Sequence, residues 1–220
     1  MPQTYHIIPG PRLGLVTPEI LANIARVALK YNIPLLKITS GQRLSFVGLD
    51  PADLKAISAE LGDSPLKPAG SPSLQACPGL RHCRHGQQDA LKLGERVQEE
   101  LLTMTLPAKT KIGISGCGRN CCESFVRDVG IFGRKKGWTL VFGGNAGGRP
   151  RIGDIIAVDL DDSQVVDLAQ KCLAFYQKEA RPKERTARFM ERTTLQDFKE
   201  AVRGAIMDPE PVPQEQQNRR

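Results

Sequence analysis

Two short cysteine clusters constrain this chain more than any other feature of its sequence. Five of the six cysteines lie in the segments QACPGLRHCRHG (residues 75–86) and ISGCGRNCCES (residues 114–124). The spacing is Cys-x5-Cys in the first segment and Cys-x3-Cys in the second, where one more cysteine follows directly. The five cysteines are Cys77, Cys83, Cys117, Cys121 and Cys122.

The surroundings of these clusters favour a metal centre over disulfides. The first residues lack a charged start followed by an apolar run, and no apolar stretch reaches membrane-spanning length, so we expect a cytoplasmic protein without a membrane partner. Thiols stay reduced in that compartment, where clustered cysteines favour a metal. Four thiolates suit zinc or a [4Fe–4S] cluster, and the five-residue gap, unusual for zinc, favours iron–sulfur.

Positive charge is concentrated around the second cluster. The chain carries a net charge of +7, and residues 80–151 hold thirteen Lys and Arg against six Asp and Glu, while the other residues hold eighteen of each. This excess indicates either a solvated basic face or a cavity for an anion. Aromatic residues, on which bases stack, are only 5% of the chain, so we do not expect nucleic acid as a partner. A zinc-stabilised nucleic-acid-binding module stays as an alternative.

The first sixty residues predict a small α+β unit. A helix over 17–32 is indicated by Thr17 as a cap, Pro18 in the first turn and an apolar stripe at helical spacing. A second helix is predicted over 50–62. The order β-α-β-β-α packs helices on one face of an antiparallel sheet. The strands of this unit are predicted over 4–8, 34–39 and 43–49.

A segment rich in Pro, Gly and Ser, residues 63–73, indicates a domain boundary. Beyond it we expect a mixed second unit with a glycine-rich loop at 143–154. Helices are predicted over 88–104, 163–179, 183–192 and 194–204, and strands over 109–115, 128–133, 138–144 and 155–160.

The residues around the cysteines resemble those of the siroheme-containing nitrite and sulfite reductases, in particular the small, single-copy, assimilatory-type sulfite reductase branch. The resemblance lies in the segments ACPGLRHC, LPAKTKIGISGCGRNC, GGNAGGRPRIGD, LLKITSGQRLSFVGL and TARFMERTTLQDFKEAV. It implies an α+β fold in which a ferredoxin-like α+β half-domain precedes an α+β domain for a [4Fe–4S] cluster and siroheme. The expected parts are the half-domain at 1–66, the cofactor domain at 67–180, C-terminal helices at 181–205 and a disordered tail at 206–220.

The same resemblance implies the residues that hold both cofactors. The cluster ligands would be Cys77, Cys83, Cys117 and Cys121, and Cys121 would also bridge to the siroheme iron. Siroheme carries many carboxylates, so its cavity needs cations and polar donors. These contacts are expected from Gln42, Arg119, Asn120, Arg149 and Arg151. Cys122 and Cys172 fit no ligand position and are predicted to be buried, small apolar residues.

Lys109 and Lys111 match the family's paired lysines, which bind the anionic substrate and supply protons. They are two residues apart on a predicted strand and would share a face. The family's Thr-Thr-Arg-Gln stretch is Thr-Ser-Gly-Gln here, so Gly41 replaces an arginine, and Arg43 is the candidate substitute. A second family arginine, expected before Cys77, is also missing. Losing two cations weakens electrostatic stabilisation of an anion.

The resemblance therefore predicts an oxidoreductase that reduces sulfite to sulfide. Nitrite reduction to ammonia, and a siroheme and iron–sulfur protein that transfers electrons or senses a ligand without turnover, are the alternatives. No flavin or nicotinamide motif is visible, so electrons would come from a separate donor, and an acidic ferredoxin-like carrier would suit the basic charge. Because the chain contains one copy of an architecture that larger members contain twice, we expect a homodimer.

Overall fold

The computed structural model describes residues 5–8, 13–62 and 71–202, which form two sheets with helices packed against them. The first is three-stranded, in the order β1-β3-β2, and the second is five-stranded, in the order β4-β5-β6-β7-β8. The strands are β1 Tyr5–Ile7, β2 Leu35–Ile38, β3 Leu44–Val47, β4 Ser73–Ala76, β5 Lys111–Ser115, β6 Val129–Arg134, β7 Gly137–Phe142 and β8 Asp154–Leu160. The helices are α1 Pro18–Lys30, α2 Leu54–Leu61, α3 Gly79–His82, α4 Ala90–Leu101, α5 Asp162–Glu179, α6 Thr186–Arg192 and α7 Leu195–Val202.

The smaller unit has its own core beneath α1 and α2. Helix α1 begins where Thr17 Oγ1 accepts a hydrogen bond from the Ile20 N–H at 3.3 Å, with proline in the first turn. Its apolar side packs Ile24 and Val27 against Phe46 of the central strand β3, and all three side chains are almost fully buried. The antiparallel pairing of β3 with both neighbours leaves β2 at an edge of this sheet.

The larger unit is organised by the connections between its three parallel strands. Strands β4, β5 and β6 run parallel, and β7 and β8 are antiparallel additions. Helix α4 makes the connection from β4 to β5 and lies with α5 and α7 over one face, where Val97, Tyr176 and Phe198 are buried. The connection from β5 to β6 is a loop with one 3-10 turn at Ser124–Val126, and its residues pack on the other face of the sheet, where Gly113 and Gly130 approach it closely. The second cysteine cluster lies in this loop.

The predicted α+β fold is confirmed, including the β-α-β-β-α order of the first unit. Strand β4 and the short helix α3 were not predicted. The prediction that Lys109 lies on a strand is wrong, because β5 begins only at Lys111 and Lys109 belongs to the preceding loop. The expected domain boundary at 66/67 and the tail at 206–220 fall outside the described residues, and the domain limits remain predictions.

Candidate active site

The two cysteine loops lie side by side because they follow the carboxyl ends of neighbouring parallel strands, β4 and β5. The N–H of Cys77 donates to the Ile114 carbonyl at 3.0 Å, which continues the β4–β5 pairing into the first loop. Farther along that loop, the N–H groups of Gln87 and Gln88 donate to the Gly116 carbonyl at 2.8 and 2.9 Å. The Gly116 N–H in turn donates to Cys77 Sγ at 3.0 Å. The backbone thus brings the Cys-x5-Cys and Cys-x3-Cys segments together, and the ligand roles of their cysteines remain predictions.

Two glycines allow this close approach. A Cβ on Gly116 would lie 2.7 Å from Gly79 Cα, and a Cβ on Gly79, whose φ is +60°, would lie 2.5 Å from the Ala90 nitrogen. Contacts this short exclude any side chain at either position. The loops therefore pack backbone against backbone, and the hydrogen bond to Cys77 Sγ depends on that contact.

The donor set fits an iron–sulfur cluster. None of the six cysteines forms a disulfide. Within 5–8, 13–62 and 71–202, no three His, Cys, Asp or Glu side chains come close enough together to hold one metal ion. Four thiolates are the ligands that a [4Fe–4S] cluster takes. Cys83, Cys117 and Cys121 lie on the same two joined loops as Cys77, which suits this set.

Cys122 and Cys172 behave differently from the four candidate ligands. Both are buried, which confirms the prediction made for them. Burial raises the pKa of the Cys122 thiol to about 12, and the neighbouring Cys77 adds to the effect. Burial also raises the pKa of Cys172 strongly. Neither group is a ready source of thiolate, the form that binds metals.

Gln42 joins the first unit to the strand that carries Cys77. Its side-chain Nε2 donates to the Ala76 carbonyl, and its Oε1 accepts from the Ala76 N–H, both at 2.9 Å. Strand β4 is an edge strand, so these two backbone groups point away from β5. The amide of Gln42 takes the place of a neighbouring strand at this point. A siroheme contact from Gln42 remains a prediction.

The turn before Gln42 also lies against β4. A Cβ on Gly41 would lie 3.8 Å from Ser73 Cβ, which is ordinary van der Waals contact. Ser73 is the register partner of Lys111 on β5. The half-buried Arg43 follows, and its N–H donates to Thr39 Oγ1 at 3.0 Å. The turn that lacks the family's arginine therefore faces the strand pair that carries the candidate lysine.

Lys111 is the more enclosed of the two candidate lysines, since Lys109 is exposed. Partial burial lowers the pKa of Lys111, the positive charges of Arg127, Lys109 and Arg185 lower it further, and Asp128 raises it. Four cationic side chains therefore crowd this region, although Lys109 and Lys111 do not lie on one strand.

Asp128 organises part of this region and was missed at the sequence level. Its carboxylate is 1% exposed. It accepts from the Lys111 N–H at 2.8 Å, from Arg185 Nε and Nη2 at 3.1 and 2.7 Å, and from Thr186 Oγ1 at 2.6 Å. These bonds fix the start of α6 beside the start of β5. The only signal in the sequence was an acidic residue directly before an apolar strand.

Arg127 is a second residue that sequence reasoning missed. Its side chain is only 10% exposed. Nη2 donates to Gln75 Oε1 at 2.7 Å and to Glu123 Oε2 at 2.9 Å, and Nε donates to the Cys122 carbonyl at 3.2 Å. Its aliphatic part crosses Gly113, where a Cβ would lie 2.9 Å from Arg127 Cγ. A buried guanidinium is thus held over β4 and β5.

Arg119 and Asn120 occupy the turn between two candidate cluster ligands. Arg119 is exposed. Asn120 has a φ of +58°, and its Oδ1 accepts from the Ser124 N–H at 2.9 Å and from Ser115 Oγ at 3.3 Å. Asn120 therefore shapes the ligand loop, and a contact from Arg119 or Asn120 with siroheme remains a prediction.

The glycine-rich loop is closed by its own polar groups. Asn145 and Arg151 exchange backbone hydrogen bonds at 2.9 Å. The Arg151 guanidinium donates to Asp154 Oδ2 at 2.6 Å and to the Gly143 carbonyl at 3.0 Å. Arg149 is 75% exposed and forms an ion pair with Glu191 at 3.1 Å. Arg149 has the more accessible guanidinium of the two predicted siroheme contacts, and both assignments stay predictions.

Family models match both units. The model of the nitrite and sulphite reductase 4Fe-4S domain matches residues 70–207, and that of the nitrite/sulfite reductase ferredoxin-like half domain matches residues 1–64.

Curated relatives fall into two groups by length. A protein of Nitratidesulfovibrio vulgaris named sulfite reductase, assimilatory-type, is 43% identical over 206 residues, which are 91% of this chain and 93% of the relative. The NAD(P)H nitrite reductase of Bacillus subtilis is 35% identical over 94% of this chain but 26% of its own length. The large subunit of the NADH nitrite reductase of Escherichia coli is 34% identical over 86% of this chain and 23% of its own length. The chain thus spans about a quarter of these nitrite reductases.

Solved structures share the fold at low sequence identity. Dissimilatory sulfite reductase I has a TM-score of 0.77 at 14% identity and covers 96% of this chain, which in turn covers 72% of it. The NirA protein of Mycobacterium tuberculosis has a TM-score of 0.76 at 15% identity, with 96% of this chain and 42% of that chain covered. At these identities the likeness establishes the fold alone.

Proposed function

The chain belongs to the nitrite and sulphite reductase family, and on that premise we propose that it is an enzyme that reduces sulfite to sulfide. It is an oxidoreductase of a family that uses a [4Fe–4S] cluster and siroheme. The observation that carries the choice of sulfite is the assimilatory-type sulfite reductase of nearly equal length, which matches over 91% of this chain.

In this proposal Cys77, Cys83, Cys117 and Cys121 would hold the cluster, and Cys121 would also be shared with siroheme. When bound, the two cofactors would supply the electrons for reduction of the oxyanion. The exposed position of Cys121, beside the buried Cys122, supports its role as the bridging ligand. Arg119 and Arg149 are the accessible cations for the siroheme carboxylates.

Lys111 and Lys109 are proposed to bind the oxyanion and to supply protons as its oxygens leave as water. Lys111 suits proton transfer because its lowered pKa makes it a better acid than an ordinary lysine. Arg43, in the turn that faces β4, is proposed to add a further cation for the oxyanion. Electrostatic stabilisation by such fixed charges contributes about 3 kcal/mol per well-placed group.

Product analysis on the purified protein tests this proposal. With a chemically reduced viologen as donor, we expect sulfide from sulfite, with a higher kcat/KM than for ammonia from nitrite. Protein that contains siroheme and iron but forms neither product would overturn the enzyme proposal and would favour electron transfer or ligand sensing.

Nitrite is the second candidate substrate. The specific observation in its favour is the 35% identity to a nitrite reductase over 94% of this chain. If ammonia formation has the higher kcat/KM, the site is that of a nitrite reductase and the assignment to sulfite fails.

The electron donor is proposed to be a separate acidic, ferredoxin-like protein that docks near Cys83. Leu80, 57% exposed, lies on α3 next to the exposed Arg81. The basic turn at 134–136 is tied to this loop by Gln88 Nε2, which donates to the Arg134 carbonyl at 2.8 Å. An apolar centre with a basic rim complements an acidic partner. Reduction by an acidic ferredoxin should slow as salt rises, whereas reduction by a small viologen should not.

A second copy of the chain is the proposed partner of strand β2. This edge strand exposes Leu35, Leu36 and Ile38, at 63%, 43% and 72%. Antiparallel pairing of two such edges about a twofold axis would cover them. Light scattering should give the mass of a dimer, and Ile38→Lys should shift it towards the monomer. No helix among the described residues is long and apolar enough to span a bilayer; a cytoplasmic location is part of the proposal.

A further inference from the structure

Gly41, which stands where the family has an arginine, lies against the strand pair that carries Lys111. Gly41 faces Ser73, which pairs in register with Lys111. Ser73 and Gln75 alternate along β4 with Leu74 and Ala76, which belong to the core. A side chain at position 41 would therefore project towards the face of the sheet that carries Ser73, Gln75 and Lys111.

Arg127 reaches the same face from the opposite direction. It follows the second cysteine loop, crosses Gly113, and brings its guanidinium to Gln75 Oε1 at 2.7 Å. Gln75 pairs in register with Gly113, and it lies two residues beyond Ser73 on β4. The guanidinium is thus held on the strand that Gly41 faces, next to Lys111.

The contacts of Arg127 leave most of its positive charge without a neutralising partner. Gln75 and the Cys122 carbonyl are neutral acceptors. Its ionic partner Glu123 has a side chain that is 59% exposed, so water screens that pair strongly. A guanidinium whose carboxylate partner is weakly held is suited to exchange that partner for an oxyanion.

We propose that Arg127 is a substrate-binding residue that contacts the oxyanion together with Lys111, and that it supplies a cation on the face that the turn at Gly41 approaches. This inference rests on the proposed function, because it assigns the oxyanion to the face that carries Lys111. Gln75 and the Cys122 carbonyl act as positioning groups that aim the guanidinium.

The test measures sulfite binding to the purified, cofactor-containing protein by calorimetry and by the change in the visible spectrum. Arg127→Gln should raise the Kd for sulfite about 10- to 100-fold, the range expected when one charge-assisted contact is lost. Arg127→Lys should recover part of that loss. The matched control is Arg96→Gln, which removes an arginine paired with Glu100 on α4 and should leave the Kd unchanged.

The decisive variant restores the charge from the other side. A Cβ at Gly41 would make only ordinary contacts, with Ser73 and Thr39, so Gly41→Arg is the variant that adds a cation to this turn. In the Arg127→Gln background, Gly41→Arg should recover most of the lost affinity. If Arg127 were only a structural support, Gly41→Arg would not restore sulfite binding. Arg127→Gln and Arg127→Lys would then lower thermal stability and iron content to the same extent. This pair of results would overturn the proposal.

Failure of the inference is distinguishable from failure of the proposed function. If the protein forms sulfide but its Kd for sulfite does not change in Arg127→Gln, sulfite reduction is supported and the role of Arg127 is refuted. If sulfite binding depends on Arg127 but no sulfide forms, the role of Arg127 is supported and the proposed sulfite reduction is refuted. A natural-sequence protein that binds no sulfite at all would also refute the role of Arg127.

Discussion

Gln42 and Ala76 are joined by two hydrogen bonds of 2.9 Å, one from each end of the glutamine amide. This pair connects the first unit to the edge of the five-stranded sheet, one residue before Cys77. It sets the position of the first ligand loop relative to the turn that contains Gly41 and Arg43.

Gln42→Glu should weaken this connection with little change of shape. A glutamate can still accept from the Ala76 N–H, but it cannot donate to the Ala76 carbonyl, and the two oxygens then face each other. We expect the free energy of unfolding to fall by about 1–3 kcal/mol, measured by urea titration, with a lower iron content. Gln170→Glu, at an exposed position of α5, is the control, and an equal loss there would contradict this role of Gln42.

The cysteine assignment predicts a clear division among single variants. Alanine at Cys77, Cys83, Cys117 or Cys121 should abolish the four-iron cluster, measured as iron and acid-labile sulfide per chain. Cys122→Ala should retain both, because that thiol is buried with a raised pKa. Loss of iron in the Cys122 variant, with retention in any of the four others, would show that the ligand set is different.

Gly113→Ala should damage the anion site and the fold together. The added Cβ would lie 2.5 Å from the Cys122 carbonyl oxygen and 2.9 Å from Arg127 Cγ, so the loop and the arginine must both move. We expect the free energy of unfolding to fall by about 1–3 kcal/mol and the Kd for sulfite to rise. Gly41→Ala, whose Cβ would make ordinary contacts, should leave stability unchanged or slightly higher.

Anion affinity should depend on the protonation of Lys111. Its pKa is lowered by burial first and by Arg127, Lys109 and Arg185 next, so it loses its proton at a lower pH than an ordinary lysine and binding weakens there. Arg127→Gln removes one repelling charge, which raises the pKa of Lys111, so the loss of anion affinity at alkaline pH should move to higher pH. The probe is nitrite, which carries a single negative charge at every pH in this titration. An unshifted profile in Arg127→Gln would exclude coupling between the two side chains.

Asp128→Asn should destabilise the junction between β5, β6 and α6. The substitution leaves Arg185 without its carboxylate partner and weakens the bonds to the Lys111 N–H and Thr186. Breaking a pair with one buried member costs about 3 kcal/mol, read from the midpoint of chemical unfolding. Glu95→Gln, on the exposed side of α4, should change the same quantity by less than about 0.5 kcal/mol.

The sequence predicted best those parts whose signals are local. Helix α1 was found from Thr17, Pro18 and the apolar spacing, and the cysteine loops from their spacing and the family resemblance. Strand β4 was missed because Ser73–Ala76 has no β-branched residue, and its conformation depends on pairing with β5, 38 residues away in register. Asp128 was missed for a similar reason, because its partners Arg185 and Thr186 are 57 and 58 residues distant. Lys109 was placed on a strand because alternation alone does not indicate where pairing begins.

The contact between Gly79 and Gly116 has a consequence for how the cofactors are acquired. Because backbone contacts join the two loops, ordering one ligand segment also restricts the other, and part of their conformational entropy is lost when the chain folds. Such ordering would lower the entropic cost of holding one group between the two loops.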